Sequence, residues 1–394
     1  MIYFYYAENK LQRTFLILII ALLQGCSIFT TSSAILINTS ALESALTSKI
    51  EASITKMMKE NQIPGLAIGI IKNKQIAYSK GFGIADIRTG TAVTPETVFQ
   101  LGSDSKMMVG IAMMQLKDQG RIDLDAPLTT YLPYFHIADK RYKKITIRQI
   151  LSHQSGLPYC IDYEKCDKLD YQSPQYDDGA LERHVRGARK MMMVSAPGKK
   201  MQYSDIGFET LGDVIAKVSG QSFEDYIQQH IFTPLKMTHS SFLLHDVQTK
   251  LLAAPHVVNP TLAVNSYFPY SREHAASSHL FSNVNDMNRF ALAQLNRGAL
   301  DGVRILPTSA YNIMWAPEID TALPSPWEKQ LGLGWFLGGT AEHQMVGHAG
   351  GDTGFSCEVI MVPDQGLAIV VMTNREYPLE DFSYQIMQWL LATP

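Results

Sequence analysis

Between Leu42 and Lys59, apolar residues recur at Leu46, Ile50, Ile54, Met57 and Met58. That spacing is close to the 3.6-residue helical period and predicts an amphipathic helix, which Pro64-Gly65 ends. Two short apolar runs follow, Leu66–Ile71 and Ile76–Phe82, separated by Lys72-Asn73-Lys74, and they predict a hairpin. Near the other end the order reverses. Glu358–Val362 and Leu367–Thr373 flank the turn sequence Pro363-Asp364-Gln365-Gly366. A helix over Leu379–Leu391 then carries Phe382, Ile386, Trp389 and Leu390 on one side. Helix and hairpin are mirrored by hairpin and helix, so the pattern predicts an α+β fold. One antiparallel sheet is built from both chain ends, at about 41–98 and 330–394. Helices flank it, and a mostly helical region is inserted at about 99–329. The segment Tyr159–Arg189 is charged and reads as a loop.

Residues 1–25 stand apart from this pattern. Lys10 and Arg13 precede an apolar run from Phe15 to Leu23, with Gln24 as its polar exit, in the manner of an export leader. The run is too short for a mature spanning helix. Leu23-Gln24-Gly25-Cys26 resembles the bacterial lipobox, which implies lipidation of Cys26. Ser27 after the cysteine favours, by the same resemblance, the outer membrane and a periplasm-facing location. Residues 27–40, rich in Ser and Thr, then read as a tether, and 41–394 as one catalytic unit.

Composition narrows the function classes. Across 394 residues, 34 Lys+Arg face 37 Asp+Glu, a formal charge of −3, which excludes the broad basic face that nucleic-acid phosphates require. At 46% hydrophobic and 18% charged, the chain is too apolar to be disordered. Cys160 and Cys166 lie six residues apart in a polar segment and form a candidate disulfide for an oxidising compartment. No His or Cys neighbours supply a metal set there, and neither HExxH nor a Gly-rich phosphate loop occurs, so no metal and no cofactor are expected. Cys357, in an apolar run, reads as a small buried hydrophobe.

The chemistry rests on three separated motifs. Ser103-Asp104-Ser105-Lys106 opens a helix that continues through Met107, Ile111, Met114 and Leu116. Serine suits a helix start, and a residue three positions on shares its face, so an amine comes within reach of a hydroxyl. A serine alcohol needs such a neighbour to take its proton before it attacks. The same spacing at Ser53-Ile-Thr-Lys56 sits mid-helix with no preceding glycine, and is read as chance. Tyr203-Ser204-Asp205 supplies a phenol able to relay a proton. His348-Ala349-Gly350-Gly351 lies on an expected edge strand, where glycines let substrate approach a backbone N–H.

In this order the motifs resemble those of the serine β-lactamase and penicillin-binding protein superfamily, in its class C-like branch. Ile145-Thr-Ile-Arg-Gln-Ile-Leu-Ser-His153-Gln-Ser-Gly156-Leu-Pro158 is the best single match, joined by Pro197-Gly198, Gly332-Leu-Gly334-Trp335 and Leu211–Gly220. The likeness runs from about Glu43 to Leu391. It implies that Ser103 forms an acyl-enzyme, that Lys106 and Tyr203 handle its proton, and that the N–H groups of Ser103 and Gly351 form an oxyanion hole. Asp205, His348 and Gly350 would bind substrate, and His153 would structure its loop. The implied partner is a small-molecule or peptide acyl substrate, a peptidoglycan stem peptide among the candidates.

Two departures bear on activity. Asp205 stands where the family commonly has Asn; an ionised carboxylate only accepts, and beside Lys106 it would stabilise the ammonium and move the base role toward Tyr203. His348 replaces a lysine, so no permanent cation holds a substrate carboxylate there. Both features favour an esterase or D-alanyl-D-alanine carboxypeptidase over a β-lactamase. The alternative is a non-catalytic binding or scaffold lipoprotein on the same fold, for which Asp205 is the best argument. Ala276-Ser-Ser-His279 also differs from the family's usual Gly-Gly and implies an altered cleft wall.

Overall fold

The computed structural model describes residues 42–161, 174–340 and 342–393. Cys26, the leader and the tether lie outside the described residues, as does Cys166. Cys160 takes part in a disulfide.

Helix α1 (Ser44–Glu60) buries Leu46, Ile50, Ile54 and Met57, the stripe its periodicity marks. Each such side chain withdrawn from water contributes roughly 1.5–3 kcal/mol. The stripe packs on strands β1 (Gly65–Lys72) and β2 (Gln75–Asp86), whose hairpin turns through Asn73 and Lys74, both at positive φ. Strand β3 (Thr91–Ala92) closes that edge. The strands resume earlier than the sequence pattern indicates, at β4 (Ile319–Asp320) and β5 (Gln330–Leu331). Then come β6 (Phe336–Gly339), β7 (Gln344–Asp352), β8 (Phe355–Val362) and β9 (Leu367–Thr373). The nine strands run in the order β4-β5-β6-β7-β8-β9-β1-β2-β3. The chain ends meet where β1 pairs antiparallel with β9, Leu66 opposite Thr373 and Ile71 opposite Ala368.

Strands β8 and β9 are buried along their whole lengths because helices cover both faces of the sheet. This is why they read as continuous apolar runs instead of alternating ones. On one face lie α1 and α6 (Glu380–Leu391), whose Phe382, Ile386 and Leu390 join the α1 cluster, with Trp389 partly buried under the Lys49 ammonium 4.0 Å away. On the other lies α5 (Val284–Leu295). A Cβ on Gly69 of β1 would come within 2.1 Å of the Asn288 amide, so α5 rests directly on the strand backbone.

The inserted region holds α2 (Ser105–Asp118), α3 (Ala180–Gly187) and α4 (Asp205–Ser219). Helix α3 corrects the loop reading of its segment: Leu181 and Val185 are buried one turn apart amid charged neighbours that mask them in sequence. The expected edge strand is also corrected. Strand β7 is interior to the sheet, but β6 pairs only with Gln344–Gly347, so its second half leaves that side uncovered from His348 onward. Among the described residues, no helix is long and apolar enough to cross a membrane.

Candidate active site

A glycine turn presents Ser103. The short strand Phe99–Gln100 pairs with Phe281–Ser282, and Gly102 follows at φ +53°. Ser105 pins the turn, donating to the Gly102 carbonyl at 2.7 Å and accepting from the Leu280 N–H at 2.9 Å. Ser103 therefore precedes α2 without capping it; Asp104 occupies the cap position, and Ser103 is left half-buried with its hydroxyl turned to Lys106. A Cβ on Gly102 would lie 2.5 Å from the Gly351 nitrogen, so β7 runs directly against the serine turn. Gly350 is packed as tightly: a Cβ there would lie 2.0 Å from the Leu101 carbonyl oxygen.

Lys106 is fully buried. Its Nζ reaches three oxygens: Ser103 Oγ at 2.9 Å, the Ser277 carbonyl at 2.9 Å and Asp205 Oδ1 at 2.7 Å. It also lies 4.8 Å from the centre of the Tyr203 ring. The second serine–lysine pair resolves differently: Lys56 points to solvent and reaches only Glu60, at 4.0 Å.

Tyr203 and Asp205 are positioned by stitching between two loops. Ser204 caps α4, accepting from the Gly207 N–H at 3.1 Å and donating to the Pro158 carbonyl at 2.7 Å. Its own N–H donates to His153 Nδ1 at 3.1 Å. The Asp205 and Ile206 N–H groups both donate to the Tyr159 carbonyl, at 2.9 and 3.2 Å. The His153 ring stacks on Tyr203 with centroids 4.2 Å apart. Burial, together with Lys106 and His348, holds His153 well below the usual imidazole range, so it serves as a neutral acceptor and stacking plate.

The Tyr203 hydroxyl hydrogen-bonds Ser103. Burial and the Asp205 charge push its phenol well above the ordinary tyrosine value, outweighing that bond. The carboxylate that pairs with Lys106 thus also favours the protonated phenol, which weighs against Tyr203 as the base. Tyr159, unmarked in the sequence reading, bonds its hydroxyl to Asp205 and is itself held up by that charge.

His348 is buried, packs edge-on against Phe336 at 4.9 Å, and pairs its Nδ1 with the Ala349 carbonyl at 2.6 Å. Burial and the Lys106 charge lower it to about 3, so it is neutral. Asp104 is buried behind it, and burial raises its carboxyl to about 8. Its neighbour is the Cys357 thiol, which is free and buried, as its apolar run implies. His279 is buried in the cleft wall, with Nδ1 2.9 Å from the Ser271 carbonyl and Nε2 3.6 Å from Asp352.

Structure thus brings together Ser103, Lys106, Tyr203, Asp205, His348, Gly350 and Gly351 from three separate stretches of chain. Sequence reasoning missed Tyr159, Asp104 and Ser277; Tyr159 alone carried a signal, as the residue directly after the Ser-Gly-Leu-Pro match.

Comparison with known proteins places the chain in a family. The Beta-lactamase family model matches residues 50–393. Protein flp of Staphylococcus aureus (strain MW2) is 25% identical over 327 residues, 83% of this chain and 62% of that protein. The putative penicillin-binding protein PbpX of Bacillus subtilis (strain 168) is 28% identical over 264 residues, 67% of this chain and 61% of that one. This chain therefore spans under two thirds of the length of these curated relatives. Among solved structures, the octameric penicillin-binding protein homologue from Pyrococcus abyssi superposes with a TM-score of 0.77 at 26% identity, covering 88% of this chain and 77% of that one. A structure titled SurE shares the fold, with a TM-score of 0.69 at 24% identity over 89% and 76% of the two chains.

Proposed function

The chain belongs to the Beta-lactamase family, and from that premise we propose that it is a serine hydrolase that cleaves esters or small amides through a Ser103 acyl-enzyme. The observation that carries this reading is the shared oxygen: Ser103 Oγ lies 2.9 Å from Lys106 Nζ and also meets the Tyr203 hydroxyl. As Ser103 attacks the acyl carbonyl carbon, its proton passes to Lys106, which hands an ammonium proton to Asp205 2.7 Å away. The pair is neutral before and carries a net charge of +1 after, balancing the negative charge that appears on the substrate oxygen. That oxyanion is met by the N–H groups of Ser103 and Gly351. Tyr203, protonated, donates to the leaving group and is reprotonated along the same chain. Water then releases the acyl group by the reverse path.

A neutral His348 on β7 offers no cation to a substrate carboxylate, which favours an ester over a D-Ala-D-Ala peptide and either over a β-lactam. The leader and Cys26 support a lipid-anchored, periplasm-facing enzyme; lipid labelling lost in Cys26→Ala tests that part.

Wild type and Ser103→Ala should be treated with a fluorophosphonate and a fluorescent penicillin, then read by intact-mass spectrometry. A panel of p-nitrophenyl esters, a chromogenic cephalosporin and a D-Ala-D-Ala peptide completes the assay. One covalent adduct on wild type alone, with turnover led by the esters, is expected. No adduct with any acylating probe overturns the reading in favour of a binding or scaffold role.

A further inference from the structure

Behind the catalytic lysine, three elements converge on one carboxylate. Glu209 lies one turn beyond Asp205 on α4 and is buried. Its Oε2 meets His184 Nε2 of α3 at 2.8 Å, and its Oε1 meets His274 Nδ1 at 2.6 Å. One ligand atom from each of the three side chains lies within 4.8 Å of the others. The imidazoles stand nearly perpendicular, at 81° with centroids 4.9 Å apart, and each turns one nitrogen to an oxygen of the same carboxylate.

The outer nitrogens are equally ordered. His184 Nδ1 lies 3.6 Å from one Glu273 oxygen, and His274 Nε2 lies 3.4 Å from the other. A carboxylate behind each imidazole is the arrangement that fixes the tautomer and orientation of metal-bound histidines. A lone His–Glu ion pair needs one contact; here each ring presents one nitrogen inward to Glu209 and the other outward to Glu273. We propose that His184, Glu209 and His274 form a binding site for one divalent first-row cation, with zinc as the best match and Glu273 as the outer-shell carboxylate.

Two imidazoles with one carboxylate suit zinc's borderline softness and disfavour calcium and magnesium, which demand oxygen ligands. Bonds of about 2.0–2.1 Å in a tetrahedral site set neighbouring ligand atoms roughly 3.3 Å apart. The present 2.6 and 2.8 Å contacts widen by about half an ångström when the cation replaces the shared protons. Glu273 and His184 remain partly open to solvent, with side chains 21% and 14% exposed, and provide the entry path. The fourth position is left to water. The site is not the nucleophile's: it acts as a brace. Ser277 donates its hydroxyl to Glu209 at 3.0 Å while its carbonyl accepts from Lys106 at 2.9 Å. Spacings of 25 and 65 residues between the partners explain why no metal motif is visible in the sequence.

The test strips the full chain with a chelator, loads it with zinc, desalts it and measures bound metal by mass spectrometry. One equivalent is expected on wild type, and less than a tenth of that on His184→Ala and Glu209→Gln, whose folding is checked by circular dichroism. Zinc should also raise the melting temperature of wild type and leave that of His184→Ala unmoved. X-ray absorption on loaded wild type needs no variant; it should show only nitrogen and oxygen neighbours at about 2.0–2.1 Å. Failure of wild type to retain zinc, equal retention by the variants, or a sulfur neighbour in the absorption spectrum each overturns the site.

Discussion

Lys106 Nζ is held 2.7 Å from Asp205 Oδ1 and 2.9 Å from Ser103 Oγ, so the nucleophile's amine neighbour is already half of an ion pair. A base in that state works only if the carboxylate takes a proton as the amine does. With Asp205→Asn that outlet is gone, because an amide cannot take up the proton. The variant's kcat/KM should fall about 100-fold, the lower end of what a positioned proton carrier contributes. A variant as fast as wild type or faster removes Asp205 from the proton path.

Gly102 carries a prediction about the oxyanion hole. Its φ of +53° already disfavours alanine by about 1 kcal/mol, and the added Cβ would press to 2.5 Å from the Gly351 nitrogen. Gly102→Ala should displace β7 and lower kcat/KM at least 100-fold, as loss of one oxyanion donor does elsewhere. Native-like circular dichroism with normal kinetics is the contrary result.

His153 is expected to matter without touching substrate. His153→Ala orphans the Ser204 N–H and removes the plate under Tyr203, which should cost about 1–3 kcal/mol in urea unfolding and slow acylation roughly tenfold. His153→Phe restores a stacking ring but not the acceptor. It should recover rate more than stability; recovery of both by Phe would show that the hydrogen bond contributes nothing.

Asp104 makes stability depend on pH in a definite direction. Its folded carboxyl sits at about 8, against about 3.9 in the unfolded chain. The folded state therefore keeps a proton that the unfolded state releases. Its contribution is whole below about pH 4 and is lost as pH rises toward 8, at ~1.4 kcal/mol per pH unit. Asp104→Asn does not titrate, so its stability relative to wild type should climb across that window in urea melts. A constant difference from pH 4 to 8 would mean that Asp104 is ionised throughout.

The ends of the molecule were legible in sequence because their elements are local. The α1 stripe, the two hairpins and α6 each follow from spacing within twenty residues. Ser103 and Lys106 were legible for the same reason, one helical turn apart. Tyr203, His348 and Gly351 were found only through resemblance, since no local pattern separates a catalytic phenol from a core one. What stayed hidden depends on distant partners: the Lys106 bond to the Ser277 carbonyl spans 171 residues, and the α3 helix is too short and too charged to show its buried face. Asp104 looked like ordinary helix-start chemistry, and only the packing of Cys357 against it reveals a buried acid.

The pairing of β1 with β9 sets a timetable for the ribosome. The serine turn emerges more than two hundred residues before β7, the strand that completes it, and β7 reaches β1 only through β8 and β9. The two halves of the site thus meet late in synthesis, when distant segments close the sheet. Until then the nascent chain carries the Ser103 turn without the strand that packs against it.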